Sequence, residues 1–414
     1  MTAARTVPAE AHLSPPEPGL TPQEVLARAR TIAATLVDRQ EETEQRGFYA
    51  LDTHDELLRA GLYRILVPRR YGGYEFGLGT FVKVVSSLAR GCSSTGWMYS
   101  FGASHALAAA TLFEEAAQDE LFAAGDFICP ATVAPVGFAE PAGDGGWIVD
   151  GVHGYSSGSP YATHFIGHTL IAGPPDQPPT PMMFVMPRDQ WTRLDDWGSQ
   201  LGLKGSGSHS VSIEKAHIPA HFGLPGIHLG LHSVADGTPG RELHGNPMYG
   251  GGILSSLQFQ LAAMSVGMAT GALDAYEDLM RERTTIFPPI VSRTEDPDYQ
   301  GHFGDASGRI ATAEAALTDA VRQWEDTAAR GAAAFTREVD LRLATICREV
   351  VRLCWTAVSD DLFPTAGSSA VRRGSRLERV WRDMSTLHSH AGVAVFLESV
   401  ANRELAQLVF HTES

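Results

Sequence analysis

Apolar residues recur at intervals of three and four near both ends of the chain and shrink to short runs in between. Val25, Ala29, Ile32 and Leu36 follow Thr21-Pro22-Gln23-Glu24, a capping box with proline at the first helical position. A helix is therefore the first ordered element expected. Thr53 and Glu56 repeat the cap, Leu57 and Leu58 supply an apolar face, and Gly61 closes the turn. Further helices are predicted over 79–91 and 103–123. Pro68 and the pair Gly72-Gly73 interrupt the pattern between 66 and 73.

From Cys129 the runs shorten. Trp147 to Gly151, Phe165 to Ile171, Met182 to Met186 and Val211 to Ile213 read as strands between turn residues. Beyond Gly250 helical periodicity returns, as in Leu343, Ile346, Val350, Leu353 and Ala357. Helices near 251–283, 303–334, 337–361 and 376–411 predict an antiparallel four-helix bundle. The expected organisation is α+β and multidomain: a disordered, proline-rich tail over 1–20, a helical domain over 21–127, a β-domain over 128–240 and the bundle over 241–414.

A chain of 414 residues with 43% hydrophobic and 19% charged residues can build two or three cores. Its formal charge of -16 disfavours nucleic acid as a partner. Arg372, Arg373, Arg376 and Arg379 form the one short basic cluster, which reads as an interface or phosphate contact. Cys92, Cys129, Cys347 and Cys354 have neither zinc spacing nor disulfide density and read as reduced thiols in a cytoplasmic protein. No run approaches the ~20 apolar residues of a membrane helix, and no export signal is seen at the start. Neither membrane insertion nor a metal site is expected. His217/His221 and His228/His232 have a four-residue spacing, but Pro219 and Gly230 spoil the helix that this spacing would need.

The stretch Trp381 to His390 carries an Arg-Asp pair and two histidines, the side chain that trades protons near neutral pH. It resembles the signature near the end of acyl-CoA dehydrogenases, and more closely that of the flavin-dependent monooxygenases sharing their fold. In the dehydrogenase pattern a common site for the catalytic glutamate lies nine residues after the arginine, and Ala391 stands there. The monooxygenase pattern has a histidine eight residues after it, and His390 stands there. On a continuous helix His388 would point about 200° away from His390.

That resemblance spans the chain and implies the acyl-CoA dehydrogenase-like order of helical, β and helical domains. It also implies roles for particular residues. Ser157, in Gly151 to Ser159, takes the place of the hydroxyl that approaches flavin N5, although His153 stands where such monooxygenases usually have tryptophan. Thr132, in Cys129 to Glu140, is a hydroxyl candidate for flavin or substrate. Gly202 to Ser208 is similar to the second flavin loop, with Ser206 and Ser208 as contacts. His105 and Trp97 would face the substrate, and Arg283 would meet a flavin phosphate. Arg382 is counted among the cofactor contacts, and Arg382 and Asp383 together would hold the helix and a subunit interface in place. No dinucleotide fingerprint follows Gly205 and Gly207, because Ser210 occupies its last position.

The resemblance implies the oxygenase component of a two-component flavin monooxygenase acting on an aromatic, phenolic small molecule. Reduced FMN or FAD would come from a separate reductase, O2 would add at flavin C4a, and His390, Ser157 and His105 would be catalytic in a homotetramer. Three alternatives stay open: an amino-sugar N-hydroxylase of the same fold, an acyl-CoA dehydrogenase with a relocated base, and a flavin-free scaffold.

Overall fold

The computed structural model describes residues 13–410. Five helices come first: α1 (Pro22–Arg46), α2 (Leu51–Arg59), α3 (Leu78–Gly91), α4 (Ser93–Leu112) and α5 (Glu115–Leu121). The capping box at Thr21 forms as expected, with Glu24 N–H on Thr21 Oγ1 at 3.2 Å and Thr21 N–H on Glu24 Oε2 at 2.9 Å. The second predicted cap does not. Ala50 is the N-cap of α2, and Thr53 lies within the helix, where its hydroxyl accepts from Arg39.

Residues 1–12 of the expected tail lie outside the described residues. The rest of it lies exposed along the surface with three attachments: Leu13 bridges to Tyr71, Glu17 pairs with Arg28 and Leu20 is buried.

A seven-stranded mixed sheet occupies the middle: β1 (Phe138–Pro141), β2 (Trp147–His153), β3 (His164–Ile171), β4 (Thr180–Pro187), β5 (Thr192–Arg193), β6 (Val211–Ile218) and β7 (Gly223–Pro225). Its order is β5-β6-β2-β1-β3-β4-β7, with β1 and β3 parallel and every other pairing antiparallel. The short strands β1, β5 and β7 carry no alternating pattern long enough to predict.

After the short α6 (Pro239–His244) come α7 (Ile253–Glu282), α8 (Pro297–Ala329), α9 (Arg337–Thr356), a single turn α10 (Phe363–Thr365), α11 (Arg376–Ser389) and α12 (Ala401–Phe410). The predicted helix over 376–411 is broken at His390, whose backbone is extended, and continues as a π-helix over Gly392–Val400. Helix α7 is long and apolar enough to cross a membrane, contrary to the sequence-based expectation. In the fold 89% of that apolar window is buried. It is the central helix, packed on α3, α8, α9 and α11, and its composition reflects burial on all sides.

Candidate functional site

All twenty residues of α4 are buried. Trp97, Phe101 and His105 follow one another at steps of four, so they stack along one face. Their rings are 4.8 Å apart for Trp97 and Phe101 and 6.4 Å for Phe101 and His105. His390 closes on this wall, 5.3 Å from Trp97 edge to face and 5.7 Å from Phe101. The break after Ser389 puts it there. His388, still on α11, turns to Trp355 at 4.8 Å, so the two imidazoles face different surroundings, as the two-residue spacing predicts.

His105 has an assignable proton. His105 Nδ1 lies 2.8 Å from the Phe101 carbonyl and 2.7 Å from the Cys129 carbonyl. Carbonyls only accept, so Nδ1 donates and a neutral ring leaves Nε2 as a bare acceptor. Burial lowers the His105 pKa, against the two carbonyls. Burial also pushes His390 down to about 4.

A chain of hydroxyls runs from the other side of Trp97. The indole Nε1–H donates to Ser157 Oγ at 2.9 Å, Ser157 and Ser208 are 2.8 Å apart, and Ser208 and Ser206 are 2.8 Å apart. Ser157 comes from the turn after β2, and Ser206 and Ser208 from the loop between β5 and β6. All three are buried. Three hydroxyl protons serve two hydroxyl–hydroxyl bonds, which leaves one proton without an acceptor in the chain. A buried spare donor is costly unless a ligand accepts it. A planar heterocycle with ring-nitrogen and carbonyl acceptors, such as flavin, fits this requirement.

The loop that carries Ser206 and Ser208 is fastened to α11. Leu203 N–H donates to Asp383 Oδ1 at 2.6 Å and Gly202 N–H to Thr386 Oγ1 at 2.9 Å. A Cβ on Gly202 would lie 2.2 Å from the Arg382 carbonyl oxygen, so only glycine permits this approach. Burial raises Asp383 to about 6, despite the Leu203 N–H and Arg382.

Arg382 is engaged within the protein, in the structural role and not in the cofactor contact. Its guanidinium donates to Glu378 Oε1 at 2.6 Å, Glu44 Oε2 at 3.1 Å and the Leu201 carbonyl at 2.8 Å, which ties α1, α11 and the loop together. Burial alone would raise Glu44, but hydrogen bonds from Arg382 and Arg379 hold its carboxylate low.

Two other candidates stand apart from the wall and the serines. Thr132 turns its hydroxyl to His153 Nδ1 at 3.1 Å, and His153 packs edge to face on Phe165 and Phe184 inside the β-domain. Arg283 caps the end of α7 and donates to Ser369 Oγ at 2.8 Å. Within one chain it meets neither group.

Sequence reasoning missed Phe101, Glu44 and Thr386. Phe101 was within reach, since it lies midway between Trp97 and His105, but the helix was predicted from residue 103. Glu44 and Thr386 act through contacts 338 and 184 positions away in sequence, for which no local signal exists.

Two family models match: the acyl-CoA dehydrogenase N-terminal domain over residues 21–121 and the acyl-CoA dehydrogenase C-terminal domain over residues 259–395. The chain is 30% identical to the flavin-dependent monooxygenase oxygenase subunit HsaA of Rhodococcus jostii (strain RHA1), over 88% of this chain and 94% of that one. It is 25% identical to the FADH(2)-dependent resorcinol hydroxylase oxygenase component of Rhizobium sp. (strain MTP-10005), over 91% and 92%. Among solved structures, 3-HSA hydroxylase from Rhodococcus sp. RHA1 superposes with a TM-score of 0.83 at 27% identity, covering 94% of this chain and 97% of that one.

Proposed function

Since the chain belongs to the flavin-dependent monooxygenases of the acyl-CoA dehydrogenase fold, we propose that it is the oxygenase component of a two-component system that hydroxylates a phenol with O2 and reduced flavin. Reduced FMN or FAD from a separate reductase, when bound, supplies the two electrons that let one oxygen atom enter the ring while the other leaves as water.

The observation that carries this reading is the spare buried proton of the Ser157–Ser208–Ser206 chain beside an aromatic wall that ends in His105 and is closed by His390. The serines hold a flavin edge, and Trp97 fixes Ser157 through its indole N–H. His105 Nε2 accepts the phenolic O–H, which orients the ring along Phe101. The tight packing of α4 excludes water, so these hydrogen bonds count for more than they would in solvent.

The test is a mix of enzyme and reduced flavin, prepared without oxygen and then exposed to it with a panel of phenols. Hydroxylated product is expected, with reduced flavin binding more tightly than oxidised. A preparation that keeps stoichiometric oxidised flavin through dialysis and makes no hydroxylated product would replace this reading with a dehydrogenase.

The same reading includes a homotetramer. It is supported by the exposed Ile286, Phe287 and Ile290 beside Arg283, an apolar tip that one protomer leaves bare. Sedimentation should give four chains. An active monomer would exclude it.

A further inference from the structure

His390 is not an ordinary helical residue. Its backbone is extended at φ -64° and ψ 136°, and its carbonyl accepts from Val393 N–H at 2.9 Å and Ala394 N–H at 2.8 Å. It therefore stands as the N-cap of the segment that follows. In that place a side chain accepts from a free N–H of the first turn. Here Gly392 N–H points at His390 Nδ1 at 3.1 Å.

A backbone N–H only donates, so Nδ1 keeps its lone pair and the ring's proton sits on Nε2. The positive end of the following turn opposes a second proton on the ring. Gly392 is also closely approached by two side chains. A Cβ there would lie 2.9 Å from Leu261 Cδ1 and 3.1 Å from His390 Nδ1 itself. The groups packed on the ring are Trp97 and Phe101 of α4, with Leu261 of α7 behind Gly392, and none of them is charged.

We propose that Gly392 is a positioning residue: its N–H fixes the tautomer of His390 and its missing side chain leaves the ring its place beside Leu261, so that His390 presents an Nε2–H donor and not a base. The proposal rests on the monooxygenase reading for its consequence but not for its geometry. His105 is the complementary case, with its proton on Nδ1 and a bare Nε2. The wall then has an acceptor at one end and a donor at the other, and a ligand with a hydroxyl at one end and an oxygen acceptor at the other can enter in one orientation.

Three measurements test this. Nitrogen-15 spectra of histidine-labelled enzyme at neutral pH, with His390→Gln used to assign the signal, should show the proton on Nε2. A proton on Nδ1, or on both nitrogens, overturns the proposal whether or not the protein proves to be a monooxygenase. Second, the His390→Gln amide can donate from the Nε2 position but cannot act as a base. It should keep product yield within about 10-fold of the parent, while His390→Ala loses about 10²-fold or more, as when a preorganised donor is removed. Equal losses in both would identify a base.

Third, Gly392→Ala should divert reduced-flavin turnover to hydrogen peroxide with reduced-flavin affinity unchanged. Gly392→Ala/Leu261→Ala, which makes room for the added methyl, should restore coupling. A coupled single variant or an unrescued double variant counts against the positioning role. If the parent hydroxylates nothing, the functional reading falls, and the tautomer still decides this inference.

Discussion

Trp97 gives its ring to His390 and its indole N–H to Ser157, so one substitution separates the two roles. Trp97→Phe keeps the aromatic wall and removes the donor. A hydrogen bond of about 1 kcal/mol corresponds to roughly 5-fold, and an anaerobic titration should show reduced-flavin affinity falling by that order. His105 offers the matching experiment at the substrate end. Asparagine can still donate to the Cys129 carbonyl as Nδ1 does, but it has nothing at the Nε2 position. His105→Asn should fold like the parent and raise KM for the phenol by about 10-fold, because a site built to accept a hydroxyl loses its acceptor. An unchanged KM would place the substrate elsewhere.

At the scale of elements, the serine loop is as well placed as its attachment to α11. Asp383→Ala would strand the buried Leu203 N–H, and leaving such a donor unsatisfied costs about 1–3 kcal/mol. Asp383→Asn keeps an oxygen for that N–H and should cost less. Urea midpoints at constant slope will measure the difference, and reduced-flavin affinity should fall in the same order because Ser206 and Ser208 ride on the loop. Helix α4 shows why part of this site was hard to read in advance. A helix buried all round has no polar face, so its apolar pattern carries no 3.6-residue period. The predicted start at 103 left Trp97 and Phe101 outside the helix that aligns them with His105.

The whole molecule carries several histidines held neutral by burial: His153, His164, His244 and His390 near 4, and His168, buried beside the Thr132 carbonyl, near 3. Each has an ordinary value of 6.5 when unfolded. Between that value and about 4 the unfolded chain binds more protons than the native one, so stability falls as pH falls through this window. Asp383 works in the opposite direction. Burial lifts it from 3.8 to about 6, and its contribution is present at low pH and lost as pH rises toward 6. Burial raises Asp340 and Asp361 as well, but it also lowers His54, His105, His209, His228, His232 and His388 beside the five imidazoles above, so the imidazoles outnumber the carboxyls and melting temperature should rise from pH 4.5 to pH 7. A flat profile would mean that the histidines are hydrated in the native state.

The order of helical, β and helical segments was legible because burying an apolar face imposes a period of two or near 3.6 on the residues themselves. His390, Ser157, Ser206 and Ser208 were singled out by the family resemblance and not by composition, and the structure joins the three serines in one hydroxyl chain and sets His390 against Trp97. What each residue touches was not legible. That Arg382 spends its guanidinium on Glu44, that Thr132 faces His153 instead of the serines, and that His390 caps a new turn all depend on groups brought together from distant parts of the chain. Hydrogen-bond partners, and with them the tautomers of His105 and His390, are set by three-dimensional neighbours. The sequence by itself determined which side chains were available for chemistry, and only the tertiary structure decided which of them were already engaged and which atoms remained free.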